Sequence, residues 1–211
     1  MPLFYSHNID QSTQMAIWRI AEAEDFFLEK VPISRAITHP HKRLQHLAGR
    51  YLLQHLFPSF PIHLIQIADT RKPYLPGESH HFSISHCGSY AAAIVSTIHR
   101  VGIDIEVPVA RIKKIQHKFL SEAETWLLLS GVPAAQALNR LTLAWSTKEA
   151  MYKWYGLGEV DFKAHMGIYS MYAEGDSGFL KALFTKDEPT DLQLTYQFFE
   201  GLVLSWVATE Q

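Results

Sequence analysis

Cysteine, net charge and long apolar runs are all scarce in this chain of 211 residues, and each shortage excludes something. The one cysteine, Cys87, rules out an internal disulfide and fits a reducing compartment. Nineteen Lys and Arg nearly balance 21 Asp and Glu, for a formal net charge of −2. No global basic field exists to recruit nucleic acid, so any polyanion site has to be local. No uninterrupted apolar stretch approaches the roughly 18 residues of a membrane span. Met1-Pro2-Leu3-Phe4-Tyr5-Ser6-His7 lacks a basic region followed by an apolar run, which predicts no signal peptide. The expectation is a cytoplasmic monomer with neither membrane nor nucleic acid as partner. Low-complexity tracts and an obvious linker are also missing, while a hydrophobic content of 47% suffices for one large core or two small ones.

Among the features present, Val101-Gly102-Ile103-Asp104-Ile105-Glu106 stands out as a strand that sets two carboxylates side by side. Residues two apart on a strand share a face, so Ile103 and Ile105 enter a core while Asp104 and Glu106 point together the other way. Paired acids repel, and hard carboxylate oxygens suit Mg²⁺. A solvated acidic face on an amphipathic strand would read the same. The second feature is Trp145-Ser146-Thr147-Lys148-Glu149-Ala150-Met151-Tyr152-Lys153, free of Gly and Pro and closed by Gly156 and Gly158, hence the end of a helix. Glu149 and Lys153 are four apart and Lys148 adjoins the acid. An exposed Glu to Lys pair contributes only about 0.3 to 0.5 kcal/mol, so solubility alone would account for it. A divalent ion on a pyrophosphate would also need one more oxygen ligand and cations for the phosphate charge.

Together with Phe82-Ser83-Ile84-Ser85-His86-Cys87-Gly88, these segments resemble the 4′-phosphopantetheinyl transferases of the larger Sfp type. That family has a Ser-His turn, then Gly-Ile-Asp-Ile-Glu, then Trp-x-x-Lys-Glu-(Ser/Ala)-x-x-x-Lys. Eighteen positions separate His86 from Asp104, and 45 separate Asp104 from Glu149, as the pattern requires. Lys118-Phe119-Leu120-Ser121-Glu122-Ala123-Glu124 is similar to the family's linking segment, and the resemblance spans roughly residues 40 to 160.

The resemblance implies an α+β fold of two similar subdomains, 1–103 and 104–211, related by a pseudo-twofold axis with the active site in the cleft between them. It implies transfer of the 4′-phosphopantetheine arm of coenzyme A to a serine of an apo acyl, peptidyl or aryl carrier protein, releasing 3′,5′-ADP. Asp104, Glu106 and Glu149 would hold Mg²⁺, Glu149 would serve as base directly or through a metal-bound water, and Lys153 would stabilise the pyrophosphate. Ser85 and His86, on a hairpin turn, would contact coenzyme A phosphate. Arg50, Lys72 and Lys148 complete the expected cofactor-binding set, with Lys148 equally readable as a helix cation. Arg71 stands where the family's Gly-Lys-Pro turn has glycine. A basic and apolar surface for an acidic carrier is expected from Arg111, Lys113, Lys114 and Lys118 with Ile112, Ile115 and Phe119. A Mg²⁺-dependent phosphohydrolase could use the same acids with water as acceptor, and a non-catalytic binding protein could keep the same fold.

Periodicity predicts helices over 11–29, 40–57, 111–118, 121–130 and 134–155. Strands are expected at 62–67, 82–85, 90–96, 101–107, 166–173, 179–185, 191–199 and 202–208.

Overall fold

The structure, a computed structural model, describes residues 2–32 and 37–210. It is a mixed α and β fold that separates into two compact units, Met1–Ile103 with Thr209–Gln211 and Asp104–Ala208.

The first unit opens with strands β1 (Leu3–Asn8) and β2 (Thr13–Arg19), then the short helix α1 (Glu24–Leu28) and the longer α2 (Pro40–Leu56). A turn of 3₁₀ helix at Ile62–Leu64 and two-residue strands β3 (Gln66–Ile67) and β4 (Pro73–Tyr74) lead to the hairpin of β5 (His81–Cys87) and β6 (Tyr90–Ser96). Four strands form an antiparallel sheet in the order β1-β2-β6-β5. Trp18, Leu47, Leu52, Phe60, Phe82 and Val95 fill the core beside that sheet. Each fully buried side chain of this size contributes about 1.5 to 3 kcal/mol. The helix expected over 11–29 is instead β2 followed by α1. Met15, Ala16, Ile17 and Trp18 are buried in succession, which is the pattern of a strand covered on both faces rather than of one helical stripe. The strand expected at 62–67 is also mostly a 3₁₀ turn, and β1 was not anticipated. Helix α2 begins with Pro40 in its first turn, where the missing N–H costs nothing. A Cβ on Gly49 would come within 2.6 Å of the Ile84 Cγ2 atom, so glycine lets α2 lie against β5 one residue before Arg50.

Strand β7 (Arg100–Glu106) carries the chain into the second unit, where α3 (Ile112–Phe119), α4 (Glu122–Leu129) and α5 (Ala134–Tyr155) precede β8 (Met166–Glu174), β9 (Ser177–Phe184), β10 (Thr190–Phe199) and β11 (Leu202–Thr209). The five strands run in the order β7-β11-β10-β9-β8. Leu143, Ala150, Met151, Trp154 and Tyr155 of α5 join Met166, Leu180, Leu194 and Val207 in one core. Two local signals fix the helices that matter for the site. Ser121 and Glu124 form a capping box that starts α4. Gly156, at φ 77°, takes the left-handed conformation that ends α5 just beyond Lys153. Among the described residues no helix is long and apolar enough to cross a membrane.

Candidate active site

Strand β7 brings Asp104 and Glu106 to one side of the second unit, and α5 brings Glu149 and Lys153 toward them. Asp104 is only 3% exposed and Glu106 is partly buried, which disfavours the alternative of a solvated acidic face. Its carboxylate accepts a hydrogen bond from Lys153 Nζ at 2.6 Å. Its backbone carbonyl accepts one from Ser146 Oγ at 3.3 Å, a tie between β7 and α5. Glu106 accepts a hydrogen bond from the indole Nε1 of Trp145 at 3.0 Å. Burial pushes the Glu149 carboxyl up to about 7, with the charges of Asp104 and Glu106 adding to the effect and Lys153 opposing it. Three carboxylates from two separate motifs therefore share one electrostatic field, with one ammonium partly balancing them.

Oxygen donors alone and mutual repulsion are the conditions that a hard divalent cation relieves, so the donor set fits Mg²⁺. Among the described residues no three acidic, histidine or cysteine side chains are already gathered at the spacing of ion ligands.

Beside Glu149 the unit opens into a cavity of about 690 Å³, lined by Trp145, Glu149, Tyr152, Glu159, Phe162 and His165 among others. Its wall is aromatic: the Trp145 and Phe162 rings stack with centroids 5.4 Å apart, and Tyr152 meets Phe162 at 5.6 Å. Glu159 holds a positive φ of 52° between left-handed Gly158 and Val160, a conformation that costs a residue with a Cβ on the order of 1 kcal/mol. Trp145, Glu149 and Tyr152 lie at helical spacing on α5, so the face was readable in the sequence. The loop residues that complete the cavity were not.

Lys148, expected either to contact a phosphate or to be a helix cation, is 0% exposed, and its ammonium pairs with Glu124 at 2.7 Å. It also donates to the carbonyls of Phe119 at 2.5 Å and Phe162 at 2.9 Å. Consecutive residues on a helix point in different directions, so Lys148 faces inward while Glu149 faces the cavity.

The remaining predicted cofactor-binding residues lie in the first unit. Arg50 is 6% exposed on α2, its guanidinium within 3.1 Å of the His46 Nδ1 atom. Lys72 precedes β4, and burial, aided by the Arg100 charge, lowers its ammonium to about 8. Arg71, where the resemblance leads one to expect glycine, adopts a positive φ of 66°, a conformation that glycine takes without steric cost. Ser85 and His86 occupy strand β5 rather than the turn at Gly88–Ser89. Neighbours on a strand face opposite ways: Ser85 is buried and His86 exposed. Arg43 is held by Glu24 at 2.7 Å. On α3, Arg111, Lys113, Lys114 and Lys118 are exposed as expected, but Ile112 and Phe119 belong to the core and only Ile115 leaves apolar area at the surface.

Comparison with known proteins places these residues in a wider setting. Residues 100–197, which include Asp104, Glu106, Glu149 and Lys153, match the model of the 4′-phosphopantetheinyl transferase superfamily. Enterobactin synthase component D of Salmonella austin is 34% identical over 114 residues, 53% of this chain and 47% of that protein. The same-named proteins of Salmonella typhi and Escherichia coli K12 are each 34% identical over 116 residues, 53% of this chain and 47% and 54% of their own lengths. The chain thus spans about half the length of the curated relatives it matches.

Proposed function

We propose that this chain, whose residues 100–197 match the model of the 4′-phosphopantetheinyl transferase superfamily, transfers the phosphopantetheine arm of coenzyme A to a serine of an apo carrier protein. The observation that carries the reading is the cluster of Asp104, Glu149 and Lys153, with Glu106 in the same field, inside the matched span. In the proposed step the carrier serine oxygen forms a bond to the phosphorus that bears pantetheine. The bond from that phosphorus to 3′,5′-ADP breaks, and the serine proton passes to Glu149. In the metal-free protein burial pushes the Glu149 carboxyl up to about 7; a bound cation would lower it and favour the carboxylate form that accepts the serine proton.

Asp104, Glu106 and Glu149 would hold Mg²⁺, which when bound neutralises the charge of the pyrophosphate. Lys153 supplies a positive charge for the departing ADP, since positioning and charge neutralisation dominate phosphoryl transfer. Arg50, Lys72 and His86 are assigned to coenzyme A phosphates, where a charge-assisted hydrogen bond contributes about 1.5 to 3 kcal/mol. The relatives are named enterobactin synthase component D, which favours a carrier that serves a synthase among the acceptors. The exposed basic residues of α3 suit an acidic carrier surface.

Release of 3′,5′-ADP from coenzyme A tests the reading against simple hydrolysis. A transferase releases ADP only when an apo carrier is present, and a carrier with its serine replaced by alanine does not support release. Equal release without any carrier would identify a phosphohydrolase instead.

A further inference from the structure

Lys148 stands in the motif beside Glu149, yet it faces away from the cavity. An ammonium has three N–H donors, and the carboxylate of Glu124 and the carbonyls of Phe119 and Phe162 offer three acceptors within 2.9 Å. Those two carbonyls belong to residues whose rings flank one side chain. Phe119, at the end of α3, meets Trp145 edge-on with centroids 5.1 Å apart, and Phe162, in the loop before β8, stacks on it at 5.4 Å. The indole held between them donates its N–H to Glu106 Oε1 at 3.0 Å. We propose that Lys148 is a positioning residue that sets the Glu106 carboxylate through the Phe119–Trp145–Phe162 sandwich and makes no contact with substrate.

Glu124 anchors the arrangement from its other side. Its Oε2 accepts the Ser121 N–H at 2.8 Å and its Oε1 accepts the Ile168 N–H at 3.0 Å. One buried pair thereby ties the end of α3, the start of α4, the middle of α5, the following loop and β8. Two charges removed from water are retained only where hydrogen bonds satisfy both, and here they do. Without the ammonium, the Phe119 and Phe162 carbonyls lose their shared donor, and the rings on either side of Trp145 are free to part. What Glu106 then fails to do rests on the transferase reading; where Trp145 points does not.

The test is the double variant Lys148→Met/Glu124→Gln, which leaves the interior neutral and keeps a residue able to cap α4. The indole N–H resonance of Trp145, assigned with Trp145→Phe, is recorded in the ligand-free protein, and kcat and KM for coenzyme A are measured with saturating carrier. The expected result is a shifted or broadened Trp145 resonance, an unchanged KM, and a roughly ten- to hundredfold loss in kcat or in apparent Mg²⁺ affinity, as for residues that orient metal ligands. An unmoved resonance overturns the proposal whatever the kinetics. A raised KM with unchanged kcat overturns it too, since Lys148 would then bind substrate. If the unmodified protein transfers nothing, the reading of function fails, while the resonance still decides the position of Trp145.

Discussion

Glu149 retains its proton to about pH 7 because burial and two neighbouring acids disfavour its charge. In the unfolded chain the same carboxyl ionises near 4.3. Between those values the folded protein binds more protons than the unfolded one, so stability falls as pH rises through the window. The expected outcome in metal-free buffer is that Glu149→Gln matches the parent protein near pH 4 and becomes the more stable of the two by pH 7, read from urea unfolding at each pH. Parallel curves would mean that Glu149 is not held in the field of Asp104 and Glu106. Lys72 shifts the other way, its ammonium lowered to about 8 by burial and by Arg100. An anion binds the charged form, so coenzyme A affinity should weaken as pH rises through 8. Lys72→Gln should remove that step by calorimetry; a pH-independent affinity would take Lys72 out of the coenzyme A phosphate contacts.

At the scale of elements, the second unit was far more legible than the first. Strand β7 and helices α3, α4 and α5 fall within one or two residues of the spans expected from periodicity, and α4 and α5 also carry a start and a stop signal, the Ser121-x-x-Glu124 box and Gly156. Strand β2 was misread as a helix because four successive apolar residues have no period of their own. The inward turn of Lys148 was illegible for a related reason. The motif records which residues adjoin, whereas the partner, Glu124, lies on another helix. The caps give two stability predictions. Ser121→Ala should cost about 1 kcal/mol by removing the oxygen that accepts the Glu124 N–H. Gly156→Ala should cost about 1 to 2 kcal/mol, since φ is 77° there and a Cβ disfavours it. Thermal or urea unfolding checks both, and a loss below a few tenths of a kcal/mol in either would contradict the capping assignment.

At the scale of the whole molecule, the acids and Lys153 lie in the unit Asp104–Ala208, and the residues assigned to coenzyme A phosphates, Arg50, Lys72 and His86, lie in the other. The acids were visible in the sequence because two short motifs carry them. The aromatic cavity beside Glu149 was not, because half its wall is a loop that no periodicity marks. The account requires the acceptor to gain the arm covalently. The most direct measurement is the intact mass of apo carrier proteins after incubation with this protein, coenzyme A and Mg²⁺. The account predicts a gain of about 340 Da on the carrier serine, set by the chemistry of the arm, abolished by chelation or by Asp104→Asn. Carriers that remain at their apo mass while coenzyme A is consumed would contradict it.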